Sequence, residues 1–170
     1  MANKFRTPNS AQTQVDRRDQ EEFGGGKKGV LVCSECDSYY FKKGWHNDAR
    51  VFLSKKKNRG LLAKKAVCPA DLMIKHGLWE GKVIVQNPPK AKLTELKNLI
   101  RNFGKAYQAE NMQDRLIKVE DVKDLLVVTM TENQMAQKLA KKIRDAFKKV
   151  TLKISYQKSP SDAETAIVKF

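Results

Sequence analysis

Side chains that serve acid–base chemistry are scarce in this sequence. It has two histidines, His46 and His76, among 170 residues. We find no paired acids, no nucleophile motif and no glycine-rich phosphate loop, since Gly24–Gly26 is not followed by a helical pattern. The sequence therefore predicts a protein that is not an enzyme and has no small-molecule substrate.

Long apolar runs are also missing. No segment approaches the roughly 20 apolar residues that a membrane helix needs, and residues 1–28 lack the apolar centre of a secretory signal. These absences predict a cytoplasmic protein without a membrane partner. In a reducing compartment, three cysteines argue against a disulfide framework and leave metal binding or thiol chemistry.

Acidic residues are few compared with basic ones. There are 19 Asp and Glu against 34 Lys and Arg, a formal net charge of +15. Such self-repulsion does not stabilise a compact fold and is typical of proteins that bind a polyanion, although a merely soluble, highly charged surface is the alternative.

More than half of this excess lies in residues 42–65, where nine cations face one acid, Asp48. We expect these residues to form a basic loop, held at its base by the neighbouring cysteines, that contacts the phosphate backbone of RNA. The candidate contact residues are Lys42, Lys43, Arg50, Lys55, Lys56, Lys57, Arg59, Lys64 and Lys65.

Aromatic residues and a second basic cluster are more ambiguous. Trp45 is the best candidate to stack on an unpaired base, but the aromatic residues near it equally suit the core of a small module. Six cations on the last predicted helix fit either RNA contact or a solvated helix face. They are Lys138, Lys141, Lys142, Arg144, Lys148 and Lys149.

Two short cysteine motifs predict a metal site. Cys33 and Cys36 have the CxxC spacing with which two thiolates on a tight turn chelate one zinc ion. Cys68 and Asp71 repeat this spacing, with a carboxylate in the last position. We therefore predict a structural zinc site formed by these four residues, with His76 or His46 as alternatives to the carboxylate.

Three interpretations without metal compete with this one. The cysteines could pack as small apolar residues, the CxxC could be a redox pair, or Asp71 could simply favour the positive end of a helix dipole. The small size of this segment favours the interpretation with a bound metal ion. Residues 30–87 contain few large apolar groups, and units this small usually need an additional stabilising cross-link such as a metal ion.

The apolar periodicity predicts an α+β protein. Residues 1–29 are polar and predict a disordered or extended basic arm. Residues 30–87 predict a small zinc-ribbon or treble-clef-like module that carries the basic insertion. A strand at Lys82–Val85 is expected to close this module.

A second domain is expected after a linker. Pro88 and Pro89 make residues 88–92 a stiff, Pro-rich spacer. Residues 93–170 then alternate between helical and strand periods in the order αββαββ. This order predicts an antiparallel sheet whose helices cover one face.

The segment Val32–Trp45 carries a resemblance to a known family. Its sequence, VCSECDSYYFKKGW, resembles the CPxCGxxYhxGxW start of small bacterial zinc-ribbon proteins, and the N-terminal zinc region of the large-subunit export adaptor, Nmd-three. Cys68–Asp71 stands where that group has CPxC, and Thr131–Ala136 resembles its TENQLA segment. The resemblance implies a zinc ribbon with Cys33, Cys36 and Cys68 as ligands, and a ribosome-associated role. Asp71 and the long basic insertion depart from the pattern.

Charge, cysteines and resemblance together predict a ribosome-associated, rRNA-binding accessory factor that acts in assembly, dormancy or translation. The alternative is a zinc-ribbon transcriptional regulator that binds DNA. Against this alternative, the sequence has no helix-turn-helix and no recognition helix rich in Arg and Asn, and lysine positions a protein on a backbone more than it reads bases.

Overall fold

The chain forms two compact units. The structure, a computed structural model, describes residues 29–156 and 164–170. Unit 1 contains the described residues up to Leu72 together with Asn111–Gln113, and unit 2 contains the other described residues. The predicted arm lies outside the described residues except for its last residue, Gly29.

Unit 1 is built on a four-stranded mixed sheet in the order β3-β2-β1-β4. Strands β1 and β4 are parallel and the other pairs are antiparallel. The elements are β1 Gly29–Cys33, β2 Tyr39–Phe41, β3 Gly44–His46, helix α1 Ala49–Ser54, a 3-10 turn Lys56–Asn58, β4 Leu62–Ala66 and helix α2 Pro69–His76.

The basic segment 42–65 is therefore not a loop, as predicted, but contains two strands, a helix and a 3-10 turn. Its apolar residues explain why: Phe52 stacks on Tyr39 with ring centroids 4.2 Å apart, and Ala49 and Val30 are buried beside them. Burying these groups holds the segment against the sheet. The resulting core is small, with three buried residues and a few partly buried neighbours.

Unit 2 contains a five-stranded sheet in the order β6-β7-β5-β9-β8. It is mixed rather than antiparallel as predicted, because β5 pairs parallel with β9 over six residues. The elements are β5 Gly81–Gln86, a 3-10 turn Lys90–Lys92, helix α3 Leu93–Glu110, β6 Leu116–Val122, β7 Leu125–Met130, helix α4 Asn133–Phe147, β8 Thr151–Tyr156 and β9 Glu164–Lys169.

The predicted domain boundary is corrected by strand β5. Expected to close the first module, this strand instead lies in the middle of the second sheet, between β7 and β9. The reason is its burial pattern: Val83 and Val85 are fully buried in the core of unit 2. The units divide between Leu72 and Met73, within α2, and Pro88–Pro89 lies inside unit 2 rather than between domains.

The two long helices confirm the periodicity seen in the sequence. Leu96, Ile100 and Phe103 of α3 are buried, and so is the apolar stripe of α4. They join sheet residues in a core of 16 buried side chains. No helix in residues 29–156 or 164–170 is long and apolar enough to cross a membrane.

A methyl group at Gly81 is expected to destabilise unit 2 by about 2–3 kcal/mol, because a rigid contact would be overpacked. A Cβ at this position would overlap the backbone oxygen of Glu132 and lie 2.9 Å from Cγ of Met130. Neither β5 nor the start of α4 can move without disturbing the sheet. Denaturant unfolding of Gly81→Ala measures the effect.

Gly104→Ala is the matched control. Its Cβ would overlap Cδ1 and lie 2.5 Å from Cγ of Leu116, a side chain that can shift where a backbone oxygen cannot, and alanine gains about 1 kcal/mol of helix propensity over glycine. This variant is expected to lie within about 1 kcal/mol of the wild type. Equal destabilisation by both substitutions would contradict the account.

Candidate metal centre and basic surface

Parallel pairing of β1 and β4 brings the two cysteine motifs together. The C-terminal ends of parallel strands lie at the same edge of a sheet, and Cys33 at the end of β1 is opposite Ala66 at the end of β4. The amide of Ser34 donates to the carbonyl of Ala66 at 2.9 Å. Cys68, two residues further on, therefore reaches the first motif, and its amide donates to Sγ of Cys33 at 3.3 Å.

The CxxC motif forms a tight turn between β1 and β2. The Cys33 amide donates to the carbonyl of Ser38 at 2.8 Å, which folds the intervening residues back over the end of β1. Sγ of Cys36 lies 3.0 Å from Oγ of Ser38, whose side chain is fully buried. The turn thus directs both thiols to the same side.

The second motif forms the start of α2. Pro69 occupies the first helical position, where its missing amide costs nothing, and the carbonyl of Cys68 accepts the first helical hydrogen bond, from Leu72, at 3.0 Å. Asp71 lies in the first turn, three residues after Cys68, so that both side chains meet on one side of the helix start. Sγ of Cys68 donates to Oδ2 of Asp71 at 3.0 Å.

The four side chains form one compact cluster that could hold a metal ion. One ligand atom from each of Cys33, Cys36, Cys68 and Asp71 lies within 4.8 Å of the others. The sulfurs of Cys36 and Cys68 are 3.8 Å apart, which is about the separation of two sulfurs bound at about 2.3 Å to one tetrahedral ion. Sγ of Cys33 lies 3.2 Å from Oδ2 of Asp71. This spacing fits one ion.

Burial raises the pKa of two of the thiols, Cys36 and Cys68. Burial and, after it, the carboxylate of Asp71, which accepts the thiol proton, together raise the pKa of Cys68 to about 12. Such thiols are poor nucleophiles, because the thiolate is destabilised. A divalent cation among them would instead stabilise the thiolates.

Two residues that the sequence analysis missed support the cluster. These residues are Ser38 and Gln113. The side chain of Gln113 hydrogen-bonds Cys68 and lowers the pKa of this thiol, although burial has the larger effect and raises it. Oε1 of Gln113 also accepts the amide of Ala70 at 3.2 Å. No local pattern marks Gln113, which follows α3 in the chain, more than 40 residues from either motif.

The alternative ligands and the stacking candidate lie elsewhere. Nε2 of His46 hydrogen-bonds the carbonyl of Phe41 at 3.0 Å, and His76 is exposed at the end of α2. Neither belongs to the cluster found in the described part of the chain. Trp45 is half-buried, packs against the cysteine cluster and meets Tyr40 edge-on at 5.7 Å. This environment favours a packing role for the indole.

The nine cations of residues 42–65 are all exposed, but the structure does not hold them in one loop. Arg50 lies near the CxxC turn, with Nε 3.5 Å from Oδ1 of Asp37. Lys64 and Lys65 lie along β4, an edge strand. The other six lie in the β2–β3 turn or in and beside the 3-10 turn. They are Lys42, Lys43, Lys55, Lys56, Lys57 and Arg59.

The cations of α4 form part of an ordinary helix surface. Nζ of Lys138 lies 5.3 Å from the ring centre of Tyr107, Nζ of Lys142 lies 5.9 Å from that of Phe103, and Arg144 pairs with Asp145. These contacts favour the solvated-face interpretation of this cluster.

Known proteins provide no independent assignment. No protein-family model matches the chain, and no curated protein or solved structure is significantly similar to it. The function of the site is therefore inferred from its own geometry and charge.

Proposed function

We propose that this protein is a non-enzymatic RNA-binding protein that associates with ribosomal RNA, and that its three cysteines and Asp71 hold a structural zinc ion. The observation that carries the proposal is the exposure of all nine cations of residues 42–65. Within the described part of the chain, six of them form no ion pair with an acid. These six are Lys42, Lys55, Lys56, Lys57, Arg59 and Lys65.

A structural role for the ion follows from its ligands. Three sulfurs and one carboxylate oxygen are within the ligand set of zinc, and four protein ligands leave no position for a reactive water. Cys68 is fully buried, Cys33 is 5% exposed and Asp71 is 9% exposed. Cys36 is partly exposed, but four protein ligands would leave a substrate no coordination position on such an ion. The zinc would instead stabilise a unit with a small apolar core.

A phosphate backbone is the partner that the exposed cations fit best. Lysine dominates the exposed set, and lysine contacts phosphates as a point charge without identifying bases. The resemblance of Val32–Trp45 to ribosome-associated zinc proteins directs the proposal to ribosomal RNA. No specific observation favours the DNA-binding alternative: α1 has six residues and a single arginine.

Salt-dependent association with ribosomal particles is the expected result. The zinc-loaded protein should sediment with ribosomal particles at low salt and dissociate as the salt rises, with an affinity loss of about 10³-fold between roughly 50 and 200 mM, because neutralised phosphates release counterions. Gradient sedimentation followed by immunoblotting measures this. A competition with duplex DNA serves as the control.

Two outcomes would contradict the proposal. The protein could remain at the top of the gradient at the lowest salt, or duplex DNA could displace it from ribosomal RNA at equal concentration.

A further inference from the structure

Strand register places two groups of cations at one end of the first sheet. Leu31 pairs with Tyr40 in the antiparallel β1–β2 pair, so the turn at Lys42–Lys43 lies beside the start of β1. Strand β4 runs parallel to β1 and begins with Leu62 opposite Gly29. The segment that precedes β4 therefore lies at this same end. It carries Lys55, Lys56, Lys57 and Arg59.

A chain of contacts joins the two groups. The ring of Phe41, next to Lys42, lies 5.0 Å from the ring of Phe52. The carbonyl of Phe52 accepts a 2.7 Å hydrogen bond from Nδ2 of Asn58, which is 7% exposed. Asn58 stands between Lys57 and Arg59 in the chain. The buried amide thus fixes one basic turn close to the other.

We call these six residues, Lys42, Lys43, Lys55, Lys56, Lys57 and Arg59, the basic pole. The metal cluster lies at the opposite end of β1 and β4, beyond Cys33 and Ala66. Asp48, the one acid of residues 42–65, is also at that opposite end, because the adjacent amide of Ala49 donates to the carbonyl of Asp37 in the cysteine turn. The pole consequently combines six positive charges with no acid from its own segment.

The turn at the pole uses residues that are unfavourable for its geometry. Lys42 has φ 49° and Lys43 has φ 71°, and together they form the two-residue connection between Phe41 and Gly44. Hairpins with two positive φ angles favour Asn-Gly and similar pairs, because a side chain strains the left-handed conformation. Two lysines therefore weaken the turn and place two charges at its tip. Strain of this kind points to a role outside folding.

We propose that the basic pole binds the phosphate backbone of base-paired RNA without reading its sequence. This inference rests on the proposed function and names the surface and the class of RNA. The β2–β3 turn and the start of β4 are separated by two to three strand spacings, about 10–14 Å, so the pole presents two basic groups side by side. Two such groups suit the phosphates on both sides of a narrow A-form groove.

Among residues 29–72, the aromatic rings at this end pack on one another and offer no free platform for unpaired bases. Tyr39 and Phe41 pack on Phe52, and Trp45 packs on Tyr40 and the cysteine cluster. Binding of single strands generally needs free aromatic faces. Within the described part of unit 1, the aromatic residues near the pole are occupied by one another.

The first test is the double substitution Lys42→Asn with Lys43→Gly. It removes two charges and installs the preferred turn, so unfolding cannot explain a loss of binding. We expect a melting temperature equal to or above that of the wild type, an affinity for a 20-base-pair RNA reduced about tenfold, and a salt slope shallower by about one to two. Fluorescence anisotropy over a salt series measures both affinity and slope.

The second test compares two variants that each remove six cations. One substitutes the whole pole, with Asn and Gly at the turn and Gln at the other four positions. The other substitutes Gln for Lys138, Lys141, Lys142 and Arg144 of α4 and for Lys148 and Lys149, which directly follow this helix. We expect the pole variant to lose at least about 100-fold in RNA affinity and the α4 variant to lose less than about tenfold, since the α4 cations belong to a solvated helix face and contribute only a general electrostatic attraction.

Each outcome of these tests bears on a different part of the proposal. Equal losses in the two variants, or an unchanged affinity in Lys42→Asn with Lys43→Gly, would overturn the assignment to the pole while leaving RNA binding intact. Tighter binding of a single strand than of the duplex, or a strong preference between two duplexes of unrelated sequence, would overturn the class of RNA. Absence of RNA binding by the wild type at low salt would instead remove the proposed function itself.

Discussion

Chelation of the proposed zinc ion is expected to unfold unit 1 while unit 2 keeps its structure. The core of unit 1 consists of small clusters around Val30 and Cys68, and a core of this size supplies at most about 3–5 kcal/mol. A structural zinc ion contributes about 10–16 kcal/mol of binding free energy, which is also folding free energy. Without the ion, only the β1–β4 pairing and a few hydrogen bonds connect the two cysteine motifs.

Hydrogen exchange resolved by residue measures this effect. After chelation, the amides of β1 and β4 should exchange at rates close to those of an unfolded chain, whereas those of β5 and β7 should remain protected by the larger core of unit 2. Unit 2 thus provides an internal control, and added zinc should restore the protection. Persistent protection of the β1 amides in metal-free protein would show that unit 1 does not need the ion to remain folded.

Loss of the Asp71 carboxylate is expected to reduce zinc affinity by about 100-fold or more, because one of four ligands is removed from a closed site. Asp71→Cys is expected to bind at least as tightly as the wild type, since sulfur is preferred in structural zinc sites. Competition with a chromophoric chelator measures the affinities. The absorption spectrum of the cobalt-substituted protein reports whether the site stays tetrahedral.

Glu35→Ala is the matched control for Asp71→Ala. Glu35 is an exposed acid beside Cys36 that is absent from the cluster, and its removal should leave the affinity unchanged. If Asp71→Ala bound zinc as tightly as the wild type, the fourth ligand would be another group, and the closed site inferred from the geometry would be wrong.

Structural features that depend on residues close together in the sequence were predicted well. The apolar stripe of α4 has a clear helical period, and its six residues are buried: Met135, Ala136, Leu139, Ala140, Ile143 and Phe147. Pro69 and Gly77 marked the limits of α2, which ends at His76 before a glycine with φ +64°. The spacing of the cysteine motifs likewise indicated which four residues meet, as the cluster confirms.

Features that depend on distant partners were predicted poorly. The alternating apolar pattern of strand β5 is the same whichever strand it pairs with. The neighbouring sequence therefore did not show that β9, some 80 residues later, is its parallel partner. Asn87–Lys90 resembled a linker because prolines end strands, yet a chain can end a strand and remain within one unit. The basic segment was predicted as a loop because its charges obscured the contacts of Phe52 with Tyr39 and Phe41.

By itself, the sequence determined the net charge, the identity of the four candidate ligands and the positions of the long helices, since these follow from composition or from residues a few positions apart. Only the tertiary structure decided that the mixed sheets join β1 to β4 and β5 to β9, that Gln113 supports Cys68, and that six cations share one end of unit 1. The physical reason is that side-chain periodicity shows which face of an element is buried, whereas the partner of that face is chosen by packing among residues far apart in the chain.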